Sequence, residues 1–316
     1  MLSFDSDLFN RWEAGQRLAL KLLLQGIIDH KTWGARFPDS LADAFGRVLA
    51  DGLKDPAFAA EALTLPFEIY IAEKMPVIDP GIVHQVRLAM RQFLAERLQT
   101  ALRKTYDACA VVGSYSPDAK SAGRRALRNL CLAYLMELDD ADVRRLCVRQ
   151  LEQADNMTDA LAALTALANC DCQEREPALA QFYTKWRDEP LVVDKWLGVE
   201  AMSRLPGTVA RVKELTSHPG FTLKNPNKVY ALLGSFGGNQ VNFNAADGSG
   251  YTFMTEQILA LDPINPQVAA RMARNFDRWK RFEPKRRILM KTALEQMAAF
   301  RGLSKETAEV VTKTLM

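Results

Sequence analysis

Residues 225–271 read NPNKVYALLGSFGGNQVNFNAADGSGYTFMTEQILALDPINPQVAAR. Two helix starts of one kind, Asn225-Pro226 and Asn265-Pro266, bracket a loop rich in glycine and asparagine. In each start the first side chain accepts a hydrogen bond from an orphan N–H of the first turn. Proline at the next position gives up only an N–H that has no intrahelical partner. The same signature recurs at Asp55-Pro56, Asp79-Pro80 and Ser116-Pro117. Starts spread over the chain predict many separate helices rather than a few long ones.

Apolar periodicity outside this stretch agrees. Leu8, Trp12, Leu18, Leu22 and Leu23 recur at steps of three to four. So do Leu127, Leu130, Cys131, Tyr134, Leu135 and Leu138, then Ala160, Leu161, Leu164 and Leu167, and near the end Met272, Phe276 and Trp279. No run of alternating β-branched residues competes. Roughly fifteen helical segments of about 10–20 residues, joined by short turns, are expected. The predicted fold is all-α, an irregular superhelix of stacked helical hairpins, a HEAT/armadillo-like α-solenoid without a strict repeat. Residues 1–316 read as one helical domain, with Gly113–Ser116 the weakest point and a candidate boundary between two helical layers.

The composition is that of a soluble globular chain: 316 residues, 48% hydrophobic and 25% charged, with a net charge of +3. That charge is too small to imply a polyanionic partner. The longest apolar run, Leu18 to Ile28, is broken by Lys21, Gln25 and Gly26, short of the roughly 18 residues that span a bilayer. The start MLSFDSDLFNRW lacks the basic-then-apolar pattern of a signal peptide. A cytoplasmic protein is therefore expected. Cys109, Cys131, Cys147, Cys170 and Cys172 are odd in number and irregularly spaced, which argues for buried thiols and against a disulfide framework. Cys170-Asp171-Cys172 supplies two ligands and cannot close a zinc tetrahedron by itself.

Catalytic signatures are missing. His30, His84 and His218 are followed by Lys31, Gln85 and Pro219, so no H-E-x-x-H motif exists. All three histidines read as surface or capping residues. No G-x-S-x-G elbow and no phosphate-binding G-x-x-x-x-G-K-[ST] loop occurs. Two constellations remain. Ala246-Asp247-Gly248-Ser249-Gly250 is either an anion-binding helix N-terminus or a tight turn in which Asp247 or Ser249 caps a helix beginning near Tyr251. The capping turn is favoured, with Asp247, Ser249 and Tyr251 as candidate loop contacts. The second is a basic cluster: Arg271, Arg274, Arg278, Lys280, Arg281, Lys285, Arg286, Arg287 and Lys291. Arg271, Arg274, Arg278 and Arg281 step by three and four and are expected on one helix face, opposite Met272, Phe276 and Trp279. The favoured reading is a solvated face whose acidic partners lie on other helices. A nucleic-acid track is weaker, because no aromatics interleave the basic face.

Eight blocks in order carry a resemblance: FNRWEAGQ (Phe9–Gln16), DNMTDALAAL (Asp155–Leu164), VVDKW (Val192–Trp196), NPNKVYALLGSF (Asn225–Phe236), DGSGY (Asp247–Tyr251), NPQVAAR (Asn265–Arg271), KRFEPKR (Lys280–Arg286) and ALEQM (Ala293–Met297). Together they resemble the C-terminal helical domain of the bacterial aminopeptidases N, of the M1 (gluzincin) zinc metallopeptidases, over essentially the whole chain. The resemblance implies a domain that forms a cup over a separate thermolysin-like catalytic domain, where the zinc ligands and general base reside. This chain would then bind no cofactor and hold no catalytic residue. Its partners would be that catalytic domain and the peptide substrate. By matching motif, Gln267 and Arg271 would project into the closed chamber on the C-terminal side of the substrate. One position departs: Tyr230 stands where relatives carry a basic residue. The alternatives are a stand-alone helical-repeat scaffold for a protein partner and, less favoured, a nucleic-acid binder acting through Arg271 to Lys291.

Overall fold

The computed structural model describes residues 7–33, 36–111 and 113–316. The residues MLSFDS, read above for a leader, lie outside that range. Among the described residues the regular structure is helical, and the one β-type pairing is an isolated parallel bridge between Ile78 and Phe282. The chain divides into two compact units.

Unit 1 comprises residues 1–75 and 81–178. It holds α1 (Leu8–Trp33), α2 (Asp39–Asp51), α3 (Pro56–Leu63), α4 (Glu68–Glu73), all of α5 (Pro80–Ala108) but its first residue, α6 (Ala119–Leu135), α7 (Ala141–Gln153) and α8 (Met157–Ala168). Sequence neighbours pack as hairpins, α2 on α3 and α7 on α8, and α6 lies against both α3 and α8. The α6 stripe is as predicted: Leu127, Cys131, Tyr134 and Leu135 are buried. The helix ends at Leu135, so Leu138 falls outside it. In α1 the expected stripe is buried at Leu23, while Trp12, Leu18 and Leu22 are half-buried. Gly15, Ala19, Leu23 and Gly26 are the buried line, and Leu8 is 47% exposed. Small residues at four-residue steps let neighbouring backbone approach, a signal that apolarity alone does not carry.

Unit 2 comprises residues 76–80 and 179–316. The short segment 76–80 joins it through the Ile78 bridge: Ile78 N donates to Arg281 O at 2.8 Å and Glu283 N donates to Ile78 O at 2.9 Å. Its helices are α10 (Pro190–Ala201), α11 (Thr208–Leu215), α12 (Pro226–Val229), α13 (Ser235–Gly238), α14 (Ser249–Leu261), α15 (Pro266–Ala273), α16 (Pro284–Ala298) and α17 (Lys305–Leu315). Hairpin packing recurs between α10 and α11, α14 and α15, and α16 and α17. The division between units falls within α9 (Arg175–Trp186) rather than at Gly113–Ser116.

The predicted capping chemistry is largely present. Asp55 accepts from Phe58 N at 3.0 Å, and Asn225 from Asn227 N at 2.9 Å. Asn265 accepts from Val268 N at 3.1 Å. Ser116-Pro117 does not start a helix. The cap is Asp118, which accepts from Ser121 N at 2.9 Å, and α6 opens at Ala119. The carboxylate two residues on competes better for the orphan N–H groups. The Ser116 hydroxyl, then the Ser121 hydroxyl and N–H, hold its pKa well below the ordinary carboxylate range.

Candidate functional site

The NPN segment opens a helical rod that continues from α12 through a π-helical turn (Tyr230–Gly234) into α13. Beneath it Lys228, 8% exposed, sets its Nζ 2.8 Å from Asp194 Oδ1 and 3.0 Å from the Pro190 carbonyl. Val229, Leu232, Leu233 and Phe236 are fully buried. The pairs Tyr230 with Ala231 and Gly234 with Ser235 are half-buried, and Tyr230 is the first residue of the π turn. Single π turns inside helices recur at functional sites, because the extra residue per turn re-aims a side chain.

The asparagine-rich loop that follows is internal. Asn239 Nδ2 donates to the carbonyls of Ala201 (3.0 Å) and Ser203 (2.8 Å), and Asn242 Nδ2 donates to Ser203 O at 2.9 Å. Asn244 Oδ1 accepts from the Tyr251 hydroxyl at 2.9 Å, and its backbone carbonyl accepts from Arg286 Nε at 2.6 Å. These amides satisfy buried loop carbonyls that no helix ladder can reach. Tyr251 is 1% exposed among Phe243 and Phe276. It is thus a core residue and not an accessible loop contact. Asp247 Oδ1 accepts from Ser249 N (2.9 Å) and Ser249 Oγ (2.7 Å), which lowers the Asp247 pKa. That geometry is a capping turn. The formal cap position is Gly248, whose φ of 81° suits glycine.

Gly250 has a different reason. A Cβ there would sit 2.6 Å from Asn242 O and closer still to Phe243 O. Backbone cannot yield as a side chain does. Gly250→Ala is expected to destabilise unit 2 by about 3 kcal/mol, at the upper end of ordinary overpacking. A denaturation midpoint within error of the parent would refute that.

The exposed face is built by α15. Val268, Ala269, Ala270, Met272 and Ala273 are buried, while Gln267 and Arg271, one turn apart, are exposed. The Arg271 guanidinium carbon lies 5.6 Å from the Tyr230 ring centre, with Nη1 3.5 Å from the Tyr230 hydroxyl. The contact holds Arg271 further toward its charged form. Tyr230 thus lies directly against the exposed arginine. Spacing alone could not show this, since the two are 41 residues apart. Gln267, Arg271 and Tyr230 together offer amide, guanidinium and phenol groups, suited to peptide carbonyls and a carboxylate.

The basic cluster does not form one helix face. α15 stops at Ala273, and two 3₁₀ turns, Arg274–Phe276 and Trp279–Arg281, follow before α16. A local back-bond and a tertiary bond accompany the break in helical spacing. Asn275 Nδ2 folds back to Met272 O at 2.8 Å, and Trp279 Nε1 donates to Thr314 O at 2.8 Å. Met272, Phe276 and Trp279 are buried as predicted. Several cations have acidic partners. Arg286 pairs with Asp79 and Glu283, Arg274 with Asp277 and Lys291 with Glu295.

Two of the histidines are not surface groups. His84 Nδ1 lies 2.7 Å from Glu68 Oε1, and His218 packs edge-on to Tyr183 and beside Trp196. His218 Nδ1 accepts from Gly220 N at 3.0 Å. Burial, then the Arg211 charge, lowers the His218 pKa from 6.5, with Glu200 opposing. The folded state therefore favours neutral imidazole. Its contribution to stability is whole above the unfolded pKa and is lost as pH falls below it. The melting temperature is expected to fall from pH 7 to pH 5 more steeply than in a His218→Asn variant; equal slopes would contradict this. Cys109, Cys131 and Cys147 are buried, and burial raises all three thiols. Cys172 is pushed up to about 12, first by burial and then by Cys170. No group of three or more His, Cys, Asp or Glu able to hold a metal ion occurs among the described residues. No helix among them is long and apolar enough to cross a membrane.

Hairpins of short helices without a sheet define an armadillo-type helical-repeat domain. Residues 1–316 match the family described as "Domain of unknown function (DUF3458_C) ARM repeats", and the chain belongs to that family. It is 38% identical to aminopeptidase N of Caulobacter vibrioides over 317 residues, 98% of this chain and 36% of that one. It is 38% identical to aminopeptidase N of Escherichia coli over 311 residues, 97% of this chain and 35% of that one. Among solved structures, Legionella pneumophila aminopeptidase A, crystallised in complex with aspartic acid, superposes with a TM-score of 0.90 at 30% identity. That match covers 99% of this chain and 37% of the other. The chain thus spans about a third of the length of the curated relatives it matches. It is homologous to the C-terminal domain of the M1 aminopeptidases.

Proposed function

We propose that this chain, as a single helical domain over residues 1–316, closes the peptide chamber of a zinc-dependent aminopeptidase and contacts the substrate beyond the residue being removed. The observation that carries this reading is the exposed pair Gln267 and Arg271 on an otherwise buried helix, with Tyr230 against the arginine. The residues present do not fit zinc, since the chain has no H-E-x-x-H and the described residues no ligand cluster. Zinc would therefore be held by a catalytic domain to which this one is joined. The nucleic-acid reading loses support because Arg274, Arg286 and Lys291 are already paired with carboxylates.

In the enzyme containing this domain, Arg271→Ala is expected to raise KM for a tripeptide about tenfold, the loss of roughly 1.4 kcal/mol from one charge-assisted contact. An aminoacyl arylamide, which has no peptide beyond the scissile bond, should be hydrolysed as before. Equal effects on both substrates would defeat the reading. So would zinc-dependent turnover by this chain alone.

A further inference from the structure

A cavity of about 290 Å³ in unit 1, walled by α5, α6, α7 and α8, carries a cluster that the peptidase reading does not use. Asp155 and Asp159, from the DNMTDALAAL block, line it together with Arg125, Arg128 and Arg149. Arg125 is 4% exposed, with Nη2 donating to Ser116 O at 2.8 Å and its guanidinium 4.9 Å from the Tyr115 ring centre. Arg128 lies 4.5 Å from the Tyr106 ring centre and donates to the Tyr106 hydroxyl at 3.0 Å, while its buried Nε has no hydrogen-bond partner. No ion pair involves these three arginines among the described residues. A guanidinium drawn from water without a counter-charge is costly, so buried Arg125 and half-buried Arg128 leave an unmet demand for an anion, while Arg149 is exposed.

Other lining groups are fixed in advance. Gln150, 5% exposed, accepts from the Tyr106 hydroxyl at 2.8 Å and donates to Asn129 Oδ1 at 2.8 Å and Asp159 O at 3.1 Å. Asp159, 7% exposed, accepts from Asn129 Nδ2 at 2.8 Å and Asn156 Nδ2 at 3.1 Å. A connected network of this kind holds its members at set positions before any ligand arrives. Cations and carboxylates in one lining disfavour a dianion such as phosphate, which would also meet Asp155 and Asp159. They suit a ligand bearing both charges.

We propose that this cavity binds a free α-amino acid or dipeptide as its zwitterion, with the carboxylate toward Arg125 and Arg128 and the ammonium toward Asp155 and Asp159. The proposal stands on unit 1 and is independent of the peptide-chamber reading. The test is calorimetric titration of the whole chain with alanyl-alanine, its C-terminal amide, its N-acetyl derivative and inorganic phosphate. Alanyl-alanine is expected to bind saturably at one site. Each end-blocked analogue, and each of Arg128→Gln and the exposed Asp155→Asn, should weaken binding about tenfold or more. Arg271→Ala should leave this binding unchanged, which separates it from the chamber contacts. Absence of saturation at millimolar dipeptide overturns the proposal. So does preference for phosphate, or binding indifferent to Asp155→Asn in a variant whose melting temperature matches the parent.

Discussion

Replacing Arg211 by alanine is expected to lower the stability of unit 2 by about 3 kcal/mol, the lower end of the range for breaking a buried ion pair from one side. Glu200 on α10 has a side chain with no exposure, and Arg211 on α11 meets it at two points: Nη2 to Oε1 at 2.7 Å and Nε to Oε2 at 3.2 Å. Loss of the guanidinium leaves a carboxylate in a site without water. A second change, Glu200→Gln, should recover most of the loss in the Arg211→Ala background, since a buried amide carries no charge. Hydrogen exchange of the α10 and α11 amides reads the effect locally. A loss below about 1 kcal/mol would place the pair among ordinary surface bridges and contradict the expectation.

Asp262→Ala is expected to release α17, at a cost of about 3 kcal/mol from several buried donors left unpaired together. Asp262 is 2% exposed, directly after α14. Its carboxylate accepts from Ser304 N at 2.7 Å, Ser304 Oγ at 2.6 Å and Thr307 Oγ1 at 2.5 Å. Ser304 in turn caps α17, accepting from Thr307 N at 3.2 Å. One side chain thereby ties the end of α14 to the start of α17. Because α15 packs on α17, the same change should loosen the helix that presents Gln267 and Arg271. The α17 amides should exchange faster in Asp262→Ala, with Asp262→Asn in between because it keeps one acceptor oxygen. Unchanged α17 protection would show that packing alone holds the helix.

Neither network was legible in the sequence. Glu200 and Arg211, or Asp262 and Ser304, look like ordinary polar residues at helix ends. Burial converts them into anchors, and burial depends on which helices meet. The same limit explains the loop at 239–251. Its glycines and asparagines read equally as a binding loop or a folded turn until Asn239, Asn242 and Asn244 are seen spending their amides on interior groups. The basic stretch after Arg271 misled in the other direction. Spacing of three and four is necessary for one helix face, but the helix stops at Ala273, where Asn275 bonds back to Met272 O and Trp279 finds a tertiary partner in Thr314 O.

The sequence by itself determined the all-α class, the helix starts at Asp55, Asn225 and Asn265, and the family, because capping and periodicity are local and eight ordered blocks survive divergence. It also singled out Gln267 and Arg271 by motif. Only the tertiary structure decided that Tyr230 lies against Arg271, that Tyr251 belongs to the core, and that Arg125, Arg128, Asp155 and Asp159 line one cavity. These are relations between residues far apart in the chain. They are set by side-chain packing, which no local pattern encodes.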